Sequence, residues 1–520
     1  MTQVEYQSIS PSDFFYRNRE IAGFSNPSRA IYAAVRELLE NSLDACEIRR
    51  TPPELLIRIT ELESSNNDNN IYQLRIEDNG TGVPAEHIPK AFGQVFYGSK
   101  YTLKQARGTF GLGGTMAILY GQITTHKPVT IISSTGGDIH EYIMMIDIQN
   151  NRASILKHKI KNSNIKWSGT ILELSIEGDY SRIMHRLIEY MKQTAMVNPY
   201  LDLTFIDPKG RLYKYEKGTD KLPPLPEAVK PHPHGIDVET FRRIISMTKT
   251  KNMKEFMMEH FQGVGQVTAE KFLESAGINE KQRPQTLGPE YIVKAVRTTK
   301  EYSDFIRPDA SCLSPIGEEL LETGIKKELG LTNEDFIKTI QRKPSTYLGF
   351  PFIIEVAIAS GSTIRKQLGS GITLYRFANR IPLLFDESNG VIWKAVHKNI
   401  NWKTYNIDSD TPIVIAVHVC STKIPYKSVG KEYMADQPEV EKEITNAIRS
   451  VARSLRIWIS RRKRIDRQKR RLNVFNLYLP KIAEFATKLA DKTENPNIET
   501  LLSIVEIDQI EASSASGGKT

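Results

Sequence analysis

Three short segments confine this chain more than any other part of it. They are Glu37-x-x-x-Asn41 in RELLENSLDA, Asp78-x-Gly80-x-Gly82 in RIEDNGTGV, and Gly108-x-x-Gly111-x-Gly113 in RGTFGLGG. The first lies on a helix predicted over residues 26 to 45, where Asn26 can cap and Pro27 suits the first helical position. Ile31, Val35 and Leu38 form an apolar stripe, and at about 100° per residue Glu37, Asn41 and Asp44 gather on the opposite side. The second segment closes a strand, because Tyr72, Leu74 and Ile76 alternate with Gln73, Arg75 and Glu77 in IYQLRIED. The third is a loop that runs into the helix-like TMAILY. Taken singly, each has a bland reading: a solvated helix face, a tight Asn-Gly turn, a flexible loop.

Together they supply the parts that an ATP site needs. Asp78 can accept a hydrogen bond from the exocyclic amine of adenine, and Gly80 and Gly82 let the backbone approach the base. The glycine loop ends on a helix N-terminus, whose exposed N–H groups and positive dipole end suit a triphosphate. It is not a P-loop, since no Gly-Lys-Ser/Thr follows, and it lacks the strand and distal acid of a dinucleotide fingerprint. A carboxylate is the natural base at neutral pH, and a metal bridging phosphates takes few protein oxygens.

At 520 residues the chain exceeds one core and should form several domains. The start MTQVEYQSIS has no secretory pattern, no apolar run is long enough to span a membrane, and a cytoplasmic location is expected. Cys46, Cys312 and Cys420 are isolated, which indicates neither a disulfide framework nor a zinc site. Further strands are expected over residues 129 to 148 and 169 to 177, and a helix over 180 to 197. The proline-rich KLPPLPEAVKPHPHG at 221 to 235 marks a boundary, followed by a helical unit at 237 to 306. Strand-like FIIEVAIA and TPIVIAVHVC then precede a long helix from about Val440 to Arg471. One or two short helices and a disordered tail, SSASGGKT, are expected beyond it.

In order and spacing the three segments resemble the GHKL ATPases: gyrase B subunits, Hsp90 chaperones, histidine kinases and MutL repair proteins. The resemblance implies that Glu37 polarises the attacking water, and Asn41 binds Mg²⁺ beside the phosphates. It places Thr170, in WSGTILEL, near the adenine with Asp78, Gly80 and Gly82. Lys100 and the run Gly108, Thr109, Phe110, Gly111, Leu112, Gly113, Gly114 and Thr115 complete the implied ATP contacts. Glu40 rivals Glu37 but sits about 60° round the helix from the Glu37–Asn41 face.

Within that superfamily, a histidine kinase would carry a phosphoacceptor helix before the ATPase region, and Hsp90 a longer chain with acidic linkers. A gyrase-type subunit would carry a paired-Asp cleavage domain. The only D-x-D here, Asp408-Ser-Asp410, stands in a loop-like setting. GVGQVTAEKFLESAGI resembles a helix–two-turns–helix module, and YRFANRIPLLFD (375 to 386) and STKIPYKSVGKEYMAD (421 to 436) resemble a transducer domain. From about residue 5 to residue 470 the chain is similar to the B subunits of archaeal-type topoisomerase VI, the type IIB DNA topoisomerases.

That resemblance implies an α+β chain: a GHKL (Bergerat) ATPase α/β sandwich at 1–228, a helix–two-turns–helix insert at 229–306 and an α/β transducer at 307–470 ending in a long helix. A C-terminal helix and flexible tail would fill 471–520. It implies Lys427 as a transducer lysine on the γ-phosphate, ATP and Mg²⁺ as ligands, and DNA breakage in a separate A subunit of an A₂B₂ heterotetramer. ATP-dependent homodimerisation follows, with residues 1 to about 20 crossing to the other subunit and Tyr6, Phe14, Phe15 and Tyr16 as anchors. A MutL-like DNA clamp and a GHKL chaperone are the competing readings.

Charge adds one feature. The net charge is +9, and between Arg449 and Arg471 eleven Lys or Arg residues face one acid, Asp466. Such a run repels itself unless anions neutralise it, so Arg461, Arg462, Lys463 and Arg464 are candidate contacts to duplex DNA phosphates.

Overall fold

The computed structural model describes residues 8–63, 70–98, 103–108, 111–162, 166–385, 390–426, 434–491 and 497. Two compact units are distinguished: residues 1–400 with 409–451, and residues 401–408 with 452–520.

The first unit opens with α1 (Pro11–Arg17) and α2 (Pro27–Arg49). Asn26 caps α2 as the sequence predicts, its side chain accepting from the N–H of Arg29. The helix is buried on nearly every side, because it is packed beneath a sheet and against other helices. Its opening to solvent lies at Glu37, Asn41 and Asp44, the side that collects the polar residues.

Next come β1 (Glu54–Glu63), β2 (Asn70–Asp78), α3 (Ile88–Gly93), α4 (Gly113–Thr125), β3 (Val129–Thr135), β4 (Ile139–Asp147) and β5 (Arg152–Lys161). β6 (Ser168–Gly178), α5 (Tyr180–Val197), β7 (Asp202–Ile206) and β8 (Leu212–Tyr215) complete this region. The eight strands form one sheet in the order β5-β4-β3-β6-β2-β1-β7-β8, antiparallel except for the β1–β7 pair. Alternation places Tyr72, Leu74 and Ile76 of β2 in the core, together with Ile31, Val35 and Leu38 of α2. Asp78 therefore stands at the end of a central strand, with Thr170 of β6 directly opposite.

Four helices, α6 (Val238–Met247), α7 (Met253–His260), α8 (Gln266–Ala276) and α9 (Pro289–Glu301), close a separate small core. Phe241, Phe256, Phe261 and Phe272 are fully buried within it. After α10 (Glu318–Glu328) follow β9 (Phe336–Gln341), β10 (Ser345–Tyr347), β11 (Phe350–Ser360), α11 (Ser362–Leu368), β12 (Ile372–Ala378), β13 (Ile381–Pro382), α12 (Val391–His397) and β14 (Ile413–Ser421). The order β10-β11-β14-β12-β13, with β9 also on β11, makes a six-stranded sheet in which β12 and β14 run parallel. β11 is buried from Pro351 to Ser360 and β14 along its whole length, as central strands covered on both faces require; the buried Glu355 and His418 in these apolar runs bond to each other at 2.7 Å.

A long helix, α13 (Pro438–Leu489), begins in the first unit and belongs to the second from Ala452 onward. It does not stop near Arg471 as the sequence suggests, but continues through Pro480 in place of separate short helices. Proline costs the helix only the hydrogen bond to the Asn476 carbonyl and a local steric clash, and does not end it here. The tail SSASGGKT lies outside the described residues.

Candidate active site

A cavity of about 480 Å³ lies at the open side of α2. Its wall includes Glu37, Asn41, Asp78, Gly82, Thr170, Gly108 and Gly111–Thr115, so the three sequence segments meet in space. Ile76, Val83 and Leu172 add an apolar lining suited to a planar base. Lys100, Thr109, Phe110 and Lys427 lie outside the described residues.

Asp78 is buried and its carboxylate is largely committed. Oδ1 accepts from the N–H groups of Gly80 and Thr170 at 3.0 and 3.1 Å, and Oδ2 accepts from the Ser42 hydroxyl at 2.9 Å. Burial pushes its pKa up, while the bonds from Gly80, Ser42 and Thr170 oppose that rise. One acceptor position on Oδ2 remains for a ligand amine. The Thr170 hydroxyl shares a hydrogen bond with Ser133, and the Ser133 hydroxyl also bonds to Val83 N–H and Gly169 C=O. Gly82, at φ +67°, is required, because a Cβ there would meet the Ser134 carbonyl oxygen at 1.9 Å. At Gly80 a Cβ would fall 2.7 Å from that of Ala45 on α2.

Glu37 and Glu40 have separate environments. Glu37 lines the cavity and accepts from the Arg36 guanidinium at 2.7 Å. Glu40 is 2% exposed, accepts from Tyr190 at 3.1 Å and is not in the cavity wall. Of these two carboxylates, Glu37 alone lines the cavity.

The glycine loop ends where α4 starts. Among the described residues no side chain caps that start, and Gly113, Gly114 and Thr115 of its first turn line the cavity. Asn41 stands close by, with its side-chain nitrogen 3.3 Å from the position of a Cβ on Gly114. A single amide oxygen next to a helix N-terminus without a side-chain cap fits Mg²⁺, which keeps most of its waters and takes few protein ligands. Among the described residues no group of three or more His, Cys, Asp or Glu could hold a metal, and no helix is long and apolar enough to cross a membrane.

Sequence reasoning missed Ser42, Ser133 and Arg107. Ser42 adjoins Asn41 and could have been found from its place at the turn of the helix that faces Asp78; the other two show no local signal. Arg107, next to Gly108, is buried and bonds to Asp44, Glu47 and Asn198 at 2.7, 2.6 and 2.7 Å. Of the aromatic N-terminal residues, Phe15 packs into its own domain, whereas Phe14 and Tyr16 are exposed and Tyr6 lies outside the described residues. In the second unit Arg461, Lys463 and Arg464 are exposed, and Arg462 lies over the Trp458 ring at 5.2 Å.

Comparison with known proteins adds the family. The model of the topoisomerase VI B subunit transducer matches residues 308–471, and that of the histidine kinase-, DNA gyrase B- and HSP90-like ATPase matches residues 26–143. The B subunit of type 2 DNA topoisomerase 6 from Saccharolobus solfataricus (strain ATCC 35092 / DSM 1617 / JCM 11322 / P2) is 41% identical over 483 residues, 92% of this chain and 89% of that protein. Its counterpart from Saccharolobus islandicus (strain L.S.2.15 / Lassen #1) is 41% identical over 491 residues, 94% of this chain and 91% of that protein.

Proposed function

The chain belongs to the family of type 2 DNA topoisomerase 6 B subunits, and from that membership we propose that it binds and hydrolyses ATP to drive the passage of one DNA duplex through another. It relaxes and decatenates duplex DNA while a separate A subunit makes the transient double-strand break, in an A₂B₂ heterotetramer of the cytoplasm and nucleoid. The observation that carries this reading is the meeting of Glu37, Asn41, Asp78, Thr170 and the uncapped start of α4 around one cavity. We assign residues 1–228 to the ATPase domain, 229–306 to the helix–two-turns–helix domain and 307–470 to the transducer.

Asp78 receives the adenine amine, and the start of α4 receives the phosphates. Asn41 would hold Mg²⁺, which would supply positive charge beside the phosphates. Glu37, held by Arg36, takes the proton of the water that attacks the γ-phosphate. Lys427 reaches that phosphate from the transducer and reports whether it is present. A lysine–phosphate contact of about 1.5–3 kcal/mol is enough to bias a two-state closure. ATP then holds two copies together, and hydrolysis releases them.

The test is relaxation of supercoiled plasmid and decatenation of linked circles. Both should need this chain, a cleavage-competent A subunit and ATP. DNA retention with slow ATP turnover, and no change of linking number beside a competent A subunit, would favour the clamp reading.

A further inference from the structure

The glycine loop is anchored by residues that do not line the cavity. Gln105, Ala106 and Arg107 run directly into Gly108, and each is tied to a distant part of the chain. The Gln105 N–H donates to the Cys312 carbonyl at 2.9 Å, and its side chain pairs with both backbone groups of Ser314, at 3.1 and 2.6 Å. Asn379 donates from its side-chain amide to the Ala106 carbonyl at 3.2 Å. Arg107 donates to Oε1 of Glu47, and Arg380 donates to Oε2 of the same carboxylate at 2.8 Å.

Glu47 thus carries a guanidinium on each oxygen. One comes from the segment that enters the phosphate loop, the other from the six-stranded sheet. Both arginines are almost wholly buried, at 1% and 5% side-chain exposure. On its other terminal nitrogen Arg107 meets Asp44, which lines the cavity. Asn379 also grips Ser421, the end of β14 on the side that leads toward Lys427, through two bonds of 2.9 Å.

The turn that presents Arg380 is costly. Asn379 and Arg380 link β12 to β13 with φ of +48° and +63°, a two-residue hairpin geometry whose second position favours glycine. An arginine in left-handed backbone is uncommon, and such a position points to a role for its side chain. A buried ion triad is also a poor source of stability compared with apolar packing.

We propose that Glu47 and Arg380 are positioning residues for ATP: through Arg107 they set where Gly108 stands in the cavity wall and link nucleotide occupancy to the transducer sheet. This rests on the nucleotide reading of the cavity. Neither residue lines the cavity, and coupling of this kind is reciprocal.

The experiment uses the full chain with ATP and Mg²⁺, comparing the parent with Arg380→Met and with Glu47→Gln/Arg380→Met. Thermal midpoint without nucleotide, ATP KM and kcat, and amide exchange over residues 103–108 and 379–381 with and without a non-hydrolysable ATP analogue are read together. Arg380→Met should raise KM about tenfold, with kcat at saturating ATP near the parent value because Glu37 is untouched. It should also lower the midpoint, since Arg107 alone cannot offset what Glu47 loses. The double variant should regain the midpoint yet keep the raised KM, and the analogue should no longer protect 379–381. Recovery of KM together with the midpoint overturns the proposal, because the triad would then be only structural. If both variants fail to fold, Arg380→Lys decides: a raised KM at the parental midpoint supports positioning, and a parental KM refutes it. A parent that binds no ATP refutes the nucleotide reading and this inference with it, whereas a parent that binds and a double variant that matches it refute this inference alone.

Discussion

A Cβ built on Gly113 would stand 1.8 Å from Oε2 of Glu37. The start of α4 can therefore approach the carboxylate only as glycine, and any larger residue must displace one of them. This contact joins the first and third sequence segments and sets the Glu37 carboxylate beside the start of α4.

Glu37→Ala should leave ATP binding and ATP-induced dimerisation near parental while turnover falls about 10²–10⁴-fold, the usual cost of losing a general base. Single-turnover hydrolysis beside equilibrium ATP binding separates the two effects. Parental hydrolysis would mean that another group is the base. Glu40 is a poor substitute, since it is held by Tyr190 outside the cavity.

Asp78→Asn should abolish ATP binding without unfolding the chain. The amide oxygen can still accept from Gly80 and Thr170, and the amide nitrogen can donate to the Ser42 oxygen. It then turns a donor toward the adenine amine. The pH dependence supplies a second readout. Burial raises the folded pKa of Asp78 above its ordinary value of 3.8, so the folded state binds more protons than the unfolded one between those two values. Its contribution to stability therefore grows as pH falls through that window, and at neutral pH the buried ionised group is a cost. In Asp78→Asn that part of the pH dependence should vanish, and the apo midpoint at pH 7 should match or exceed the parent. Unchanged ATP affinity by calorimetry would remove Asp78 from the site.

Some of this was legible in the sequence for physical reasons that can be named. Asn26 and Pro27 mark the start of α2 because an uncapped helix end is costly, and the helix begins there. Residues 180 to 197 carry a one-sided apolar pattern, and α5 spans Tyr180–Val197. β5 was missed because it is an edge strand exposed along almost its whole length, so no alternation is imposed on it. Asp78 announces itself beside glycines, but its partner Ser42 lies 36 residues away. Arg380 and Glu47 are 333 apart. Pairings at such separations are set by how α2 packs in the folded chain and leave no local periodicity.

Lys427→Ala should permit ATP-dependent dimerisation yet slow hydrolysis and uncouple it from movement of the transducer. Small-angle scattering with an ATP analogue and with ADP gives two profiles for the parent. In the variant the two should converge. If the full difference persists, the γ-phosphate is sensed by another residue, with Lys423 and Lys431 the neighbours to test next.

The last prediction concerns the basic run of α13. Ile448, Ala452, Leu455 and Ile459 are buried along one side of the helix, which leaves the cations to the other faces. Arg461, Lys463 and Arg464 are exposed, whereas Arg462 is half-buried against Trp458. A charged solvated face would normally mix signs, but eleven bases with one acid between Arg449 and Arg471 do not. Phosphate contacts would neutralise them without regard to base sequence. Replacing Arg461, Arg462, Lys463 and Arg464 with Gln should weaken duplex binding and flatten its dependence on salt. At about 0.9 per contact, the three exposed residues alone should lower the log–log slope by roughly 2.7, and all four by roughly 3.6. ATP-driven dimerisation without DNA should stay parental, since none of the four lines the nucleotide cavity. An unchanged salt slope would show that these charges do not meet phosphates, and docking of the A subunit on this stretch would then be the alternative to measure.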